Sequence, residues 1–176
     1  MFRIIKLYHK FILTVAKYNI KEELNLIKKI TKEINLNNLV KIYDSANLLF
    51  PKEKRCPGTN DIFIQQLEEN ENYLYLDKKG KPVAFMSYCI REEYYELTSL
   101  YVQKDYQKKG IGEELIKFFE KQVPGYMIIL IRVLKNAPWA IKFYIKQGYL
   151  PIDDKLREKI INIKEKPWTL IFYKNV

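Results

Sequence analysis

Histidine is almost absent from this chain: His9 is its single copy. A cysteine nucleophile of the usual kind draws on a neighbouring histidine base. His9 lies in the N-terminal run, away from every motif described below, and reads as a surface residue. Cysteine is nearly as scarce. Cys56 and Cys89 stand far apart with no Cys-x-x-Cys or Cys/His spacing, which argues against a structural metal site. Cys89 follows Ser87-Tyr88 in a strand-like run and reads as a buried small hydrophobe, whereas Cys56 sits in a Pro/Gly-bounded loop and reads as an exposed thiol. No apolar run approaches the ~20 residues of a membrane span. The best candidates, Phe11 to Ala16 and Met127 to Ile131, are far too short. Arg3, Lys6 and Lys10 precede Phe11 to Ala16, but no long apolar region or small-residue cleavage site follows, so a cytoplasmic protein is expected. Arginine is also sparse within a basic total of 31 Lys+Arg against 21 Asp+Glu, a formal charge of +10. The lysines are scattered along the chain. Bidentate base recognition belongs to arginine, so this pattern favours a solvated surface that draws in anions over a nucleic-acid reader, which stays as the rival reading.

What is present fits one folded domain. A chain of 176 residues with 48% hydrophobic and 14% aromatic residues can bury a substantial core. Ile4, Tyr8, Phe11, Val15 and Tyr18 recur at helical spacing in the first twenty residues, with a short strand over Phe2 to Leu7 as the alternative. Residues 1–20 thus read as an extension packed on the domain or touching a second subunit, which leaves a homodimer open, and residues 21–176 as the domain itself. Asn35 or Asn37 caps a helix over Leu39 to Phe50, ended by Pro51. Lys52 to Thr59 is a breaker-rich loop, and Asn60 or Asp61 caps a second helix ending near Glu71. Tyr73 to Asp77 and Pro82 to Ile90 flank Lys78-Lys79-Gly80-Lys81 as a hairpin, and Tyr95 to Val102 extends the meander. Met127 to Val133 reads as a buried strand, Pro138 to Gln147 as a helix stopped by Gly148, and Trp168 to Tyr173 as a last strand. Asp153 to Lys164 carries an extra helix.

Between the strand ending at Val102 and an amphipathic run from Glu113 to Val123 lies Gln107-Lys108-Lys109-Gly110-Ile111-Gly112. A glycine loop that opens a helix is an anion site, because the first helical N–H groups lack partners and the peptide dipoles add partial positive charge. Gly110 and Gly112 are expected to supply positive φ and to leave out the Cβ atoms that a diphosphate would strike. Other glycine-loop ligand sites fail on their own requirements. A P-loop needs Lys-Ser or Lys-Thr after its last glycine, and Gly112 is followed by Glu113-Glu114. A dinucleotide fingerprint needs a third glycine and an acidic residue ending the next strand, which here ends in Arg132.

The loop resembles motif A of the GNAT superfamily of N-acetyltransferases, whose pattern runs Gln or Arg, two residues, Gly, one residue, then Gly or Ala. Leu97 to Val102 and Gln103-Lys104-Asp105-Tyr106 resemble that family's fourth strand and its approach to the loop, with Lys104 where proline is usual. Asn136-Ala137-Pro138-Trp139-Ala140-Ile141-Lys142-Phe143-Tyr144-Ile145-Lys146-Gln147-Gly148-Tyr149 resembles motif B. The resemblance is good from Tyr73 to Tyr149 and decides for a first strand over Leu24 to Ile30. It implies an α/β (α+β) fold: a single domain with a mixed, mostly antiparallel central sheet flanked by helices, its fourth and fifth strands splayed. It also implies acetyl-CoA as cosubstrate, an amine acceptor, and no metal. The pantetheine arm would pair with Leu100, Tyr101 and Val102, the pyrophosphate would sit among Gln107, Lys108, Lys109, Gly110, Ile111, Gly112 and Glu113, and Asn136 would bond the arm or nearby backbone.

Acetyl transfer needs a neutral amine and a proton for the leaving thiolate. An amine of pKa ~10.4 is rarely neutral at pH 7, at a cost of about 4–5 kcal/mol. Glu96 is the candidate base, because period-two alternation places it on the face of Leu100 and Val102, and because its place six residues before Val102 matches a catalytic glutamate in the family's histone-acetyltransferase branch. Glu92, Glu93, the acceptor helices and ordered water stay in play. Tyr144, at the motif-B tyrosine position, is the candidate acid that protonates the coenzyme A sulfur. Loop 52–59 and the stretch 150–167 are expected to shape the acceptor pocket, where Lys52, Lys54 and Arg55 would favour an anionic acceptor over a polyamine. An acyl-CoA-binding sensor without turnover is the other reading of the same fold.

Overall fold

The computed structural model describes residues 26–30, 34–160 and 166–175. The expected N-terminal helix or strand, and the end of the helix expected over Asp153 to Lys164, lie outside the described residues. Seven strands form one sheet: β1 (Ile27–Lys29), β2 (Glu71–Leu76), β3 (Pro82–Ile90), β4 (Tyr94–Val102), β5 (Ile128–Leu134), β6 (Leu150–Pro151) and β7 (Thr169–Asn175). Their order is β1-β2-β3-β4-β5-β7-β6, and every pairing is antiparallel except β4 with β5. The helices are α1 (Leu36–Asn47), α2 (Asn60–Glu69), α3 (Ile111–Glu120), α4 (Pro138–Lys146) and α5 (Asp154–Lys159).

Helices cover both faces, so the central strand β3 is buried from Val83 to Cys89 and shows no polar alternation. On one face α3 contributes Ile111, Leu115, Ile116 and Phe119 as an apolar stripe, and these pack with Tyr144 and Tyr149 against Met86, Tyr88 and Leu97. On the other face Leu39 and Ile42 of α1 and Phe63 of α2 pack on Leu74 and Phe85. A third cluster gathers Tyr94, Leu130, Ile152, Ile160 and Ile171. Each fully buried large side chain contributes roughly 1.5–3 kcal/mol relative to exposure, so both layers hold the sheet firmly.

The parallel ladder between β4 and β5 is short. It runs from Tyr94↔Ile128 to Leu97↔Ile131 and stops, leaving Thr98 to Val102 without a β5 partner. At that point β4 also carries a bulge: Ser87 pairs with Ser99, but Tyr88 pairs with Leu97, so Thr98 is an extra residue. Its hydroxyl lies 3.0 Å from the Ser87 carbonyl oxygen, to which it donates, and 3.1 Å from Ser87 Oγ. The bulge bends β4 away from β5 and reverses the parity of the strand. Leu100 and Val102 therefore pack on the α3 and α4 face with Leu97, while Tyr101 packs on the α1 and α2 face. This corrects the expectation that Glu96 shares a face with Leu100 and Val102, because simple alternation does not count an inserted residue.

Local signals explain most boundaries. Asn35 caps α1, its Oδ1 accepting from the Asn37 amide at 3.0 Å. The N-cap of α2 is Thr59, not Asn60 or Asp61, and its side chain makes no capping bond. Gly148 ends α4 with φ 84, and Gly80 turns the β2–β3 hairpin with φ 77. The two-residue β6 was not anticipated, since two residues, one of them proline, carry no strand pattern.

Asp77 links that hairpin to the glycine loop. Its Oδ1 accepts from the Lys79 and Lys81 amides, each at 2.9 Å, and its Oδ2 accepts from the Tyr106 hydroxyl at 2.9 Å. The Lys81 amide, with help from Tyr106 and Lys79, holds the carboxyl below the usual aspartate value. A depressed folded-state pKa adds stability above the unfolded value of ~3.9 and loses it as pH falls toward the folded value. Thermal melts of the wild type are expected to fall through this acidic window, and Asp77→Asn to start lower at pH 7 and decline less steeply. Parallel melting curves of the two would remove Asp77 from the account.

Candidate functional site

The glycine loop leaves a short helical turn, Lys104–Tyr106, and enters α3 through two departures from right-handed backbone. Lys108 has φ 59 and Gly110 has φ 86 as the N-cap of α3. Left-handed residues at a helix start turn successive amides toward one point, which makes a concave anion site. Gln107 fixes the approach, its Nε2 donating to the Val102 carbonyl oxygen at 3.0 Å. Gly110 opens onto free space, with only Glu114 Oε1 within 4 Å of where a Cβ would be, at 3.8 Å. Gly112 differs from expectation. Its φ is not positive, and a Cβ there would lie 3.3 Å from Phe143 Cζ, so this glycine also lets α3 and α4 pack closely. The same two helices are joined by Lys146 and Glu113 at 2.9 Å, which lowers the Glu113 pKa by hydrogen bonding and by charge.

From this cradle a cavity of about 710 Å³ runs along the unpaired part of β4 to the end of α1. One end is lined by Gln107, Lys108, Gly110, Gly112, Glu113 and Lys146. The middle is walled by Thr98 to Val102 of β4, Ile131 to Leu134 of β5, and Phe143 and Tyr144 of α4. The far end is lined by Tyr43, Ala46, Asn47, Leu49 and Phe50 of α1 and its following turn, with Trp139 from the first turn of α4. Phe50 and Trp139 meet edge to face with centroids 4.8 Å apart and bridge the two walls.

Tyr144 is 8% exposed and faces this cavity. Burial, and secondarily the charge of a Tyr101 phenolate, push its pKa above the ordinary phenol value, so the hydroxyl keeps its proton at any working pH. Tyr101, opposite, is pushed up to about 12 chiefly by burial, against a hydrogen bond with Ser99. Tyr43 packs edge to face on Tyr101 at 5.0 Å.

Glu96 stands elsewhere than expected. It is buried, forms an ion pair with Arg132 of β5 and lies near Cys89, and it does not line the cavity. Arg132 lies between it and the open space. Its carboxylate is occupied by the guanidinium and has no place on the cavity wall from which to reach an amine there. In this structure Glu96 fixes an arginine at the point where β4 and β5 part.

The model of the acetyltransferase (GNAT) family matches residues 39–149, more than half of the chain and spanning every element of the cavity. The chain belongs to the GNAT acetyltransferase family. Among curated proteins it is 25% identical over 112 residues to YjcF, an uncharacterized N-acetyltransferase of Bacillus subtilis (strain 168), covering 61% of this chain and 74% of that protein. Among solved structures it resembles an acetyltransferase from Thermus thermophilus with TM-score 0.68 and 16% identity, over 85% of this chain and 97% of that one. A GNAT family acetyltransferase from Elizabethkingia anophelis with acetyl-CoA bound aligns with TM-score 0.60 and 16% identity, over 85% and 97%. The mixed seven-stranded sheet with its one parallel pair is the GNAT fold.

In this GNAT protein the cavity gathers Leu100, Tyr101, Val102, Gln107, Lys108, Gly110, Gly112, Glu113 and Tyr144 of the expected residues. Ile111 turns into the core, and Lys109 lies over the Tyr106 ring at 5.1 Å. Asn136 is exposed before α4 and does not line the cavity. Neither loop 52–59 nor the described part of 150–167 lines it. The Arg55 guanidinium is committed to the carbonyls of Phe50 and Leu48 at 2.8 and 3.3 Å, where it shapes the turn after α1. Among the described residues no group of three or more His, Cys, Asp or Glu could hold a metal, and no helix is long and apolar enough to cross a membrane. Tyr43, Phe50, Trp139 and the cavity role of Arg132 were missed. Nothing in the sequence joins Tyr43 and Phe50 to Trp139, and Arg132 read only as a strand end.

Proposed function

We propose that this GNAT protein transfers an acetyl group from acetyl-CoA to a primary amine by direct attack, with donor and acceptor bound together. The supporting observation is one continuous cavity that joins an anion cradle, an unpaired strand edge and a protonated phenol. The residues fit the donor. The amides at the start of α3, with Lys108, would take the diphosphate, and the edge from Ser99 to Val102 would pair with the pantetheine amides, a role that then falls to β4 and not to Asn136. Acetyl-CoA supplies an activated acyl carbon and a thiolate leaving group.

The chain's own residues supply position and a proton. The amine nitrogen enters from the α1 end and attacks the thioester carbonyl carbon; the C–N bond forms, the C–S bond breaks, and its electron pair leaves on sulfur. Tyr144 donates its hydroxyl proton to that sulfur, and solvent restores it. Among the described residues Glu113 is the one carboxylate lining the cavity, and it sits at the cradle end paired with Lys146. The amine's proton therefore leaves through water. Glu96 acts at one remove, by holding Arg132.

Calorimetric titration with acetyl-CoA followed by an amine screen for thiol release tests this reading. Saturable one-site binding and amine-dependent thiol release are expected. Failure of the folded protein to bind acetyl-CoA would sink it.

A further inference from the structure

We infer that Arg132 is the specificity-determining residue of the acceptor end and that it selects primary amines carrying a carboxylate, an assignment that rests on the acetyl-transfer reading above. Arg132 is the first residue of β5 beyond the last β4 pair, Leu97↔Ile131, so it stands where the two strands separate. Its guanidinium reaches Glu96, whose β4 position pairs with Leu130 of β5, so it is anchored on the strand pair itself and not on the helix that carries the anion cradle. Its side chain is 20% exposed and lines the cavity. The charged side chains lining the cavity, among the described residues, are Lys108, Glu113 and Lys146 at the cradle and Arg132 on its own in the middle, where the strands part.

Its hydrogen bonding is incomplete. A guanidinium carries five N–H donors in a planar fork that matches a carboxylate. Glu96 takes Nη1, and Nε is buried without a hydrogen-bond partner among the described residues, so only the exposed fifth of the side chain can meet a ligand in the cavity. Glu96 keeps the group oriented, and the part of the guanidinium that lines the cavity is open to a second oxyanion. A second ammonium on the acceptor has no hydrogen-bond acceptor to meet on the guanidinium, which only donates, so diamines and polyamines are disfavoured. Beyond Arg132, Tyr43, Phe50 and Trp139 close the far end with apolar surface, which suits an acceptor with an apolar or aromatic body. This charge does what was first expected of Lys52, Lys54 and Arg55, which do not line the cavity.

The test compares amines that differ by one carboxylate: phenylalanine with phenethylamine, and 4-(aminomethyl)benzoate with benzylamine, using the full chain at saturating acetyl-CoA. In the wild type at least one carboxylated member is expected to exceed its partner in kcat/KM by roughly 10–100-fold, the range for a hydrogen bond to a charged group, carried mainly in KM. Arg132→Gln is expected to erase the preference while acetyl-CoA affinity stays within about twofold, the donor being bound by other residues. Because that variant strands Glu96 in the interior, the neutral pair Arg132→Gln with Glu96→Gln is measured alongside and is expected to fold and to lack the preference as well. Equal kcat/KM within both pairs, a preference that survives in the neutral pair, or turnover of none of the four amines by a protein that binds acetyl-CoA would each overturn the assignment. Failure to bind acetyl-CoA would instead remove the acetyl-transfer reading on which it rests.

Discussion

Tyr144→Phe is expected to lower kcat by roughly 10²–10⁴-fold, the usual contribution of a positioned general acid, while leaving the dissociation constant for acetyl-CoA within about twofold. The substitution removes one oxygen from a side chain whose ring packs beside Phe143 and Tyr149, with centroids 5.1 and 5.9 Å away, so the aromatic packing survives. What is lost is a proton held in place by burial. A thiolate expelled without a donor must take its proton from water, which is not fixed beside the sulfur as the phenol is. The loss falls on kcat because the hydroxyl interacts with charge that appears on sulfur as the C–S bond breaks. The variant also separates an enzyme from a sensor of acyl-CoA. Single-turnover thiol release at saturating donor is the measurement, and an unchanged rate would remove Tyr144 from the chemistry.

Gly110→Pro is expected to weaken acetyl-CoA binding about 100-fold or more with the sheet intact. Proline fixes φ near −65°, whereas this position sits at 86°, and it deletes an amide at the head of α3. The anion contact at a helix start contributes up to ~2 kcal/mol, and hydrogen bonds to charged oxygens about 1.5–3 kcal/mol each, so disorganising the cradle removes several tenfold steps. Gly110→Ala grades the effect, since an alanine can hold left-handed backbone at a cost of about 1–2 kcal/mol and meets no close neighbour. Calorimetry on both variants, with circular dichroism as the folding control, decides the matter. Wild-type affinity in the proline variant would take the diphosphate off this loop.

The cradle was legible because its signal is local: two glycines in three residues, between an alternating apolar run and an amphipathic one, can be read without knowing what packs nearby. Asn35 and Gly148 declared their helix ends for the same reason. Glu96 was misplaced because alternation along a strand assumes one residue per pairing, and nothing in Leu97-Thr98-Ser99 announces the extra one. The hydroxyl of Thr98 settles into the β3 backbone only once β3 is there. Phe50 and Trp139 lie far apart in sequence and meet only through the sheet between them. Arg132 was visible, yet its worth depends on the cavity it lines and on the acid behind it, and both are properties of pairing.

Thr98 gives β4 one residue more than β3 needs, and that surplus acts as a unit of counting. Exchanging one side chain for another along this strand alters a contact. Removing Thr98 would close the bulge and leave Leu100, Tyr101 and Val102 on their present faces, whereas a further residue added to a strand already bulged would carry Tyr101 through the sheet and turn Leu100 and Val102 the other way. The strand thus has slack in one direction only, shedding its surplus at no change of face and taking on more only at the cost of turning over.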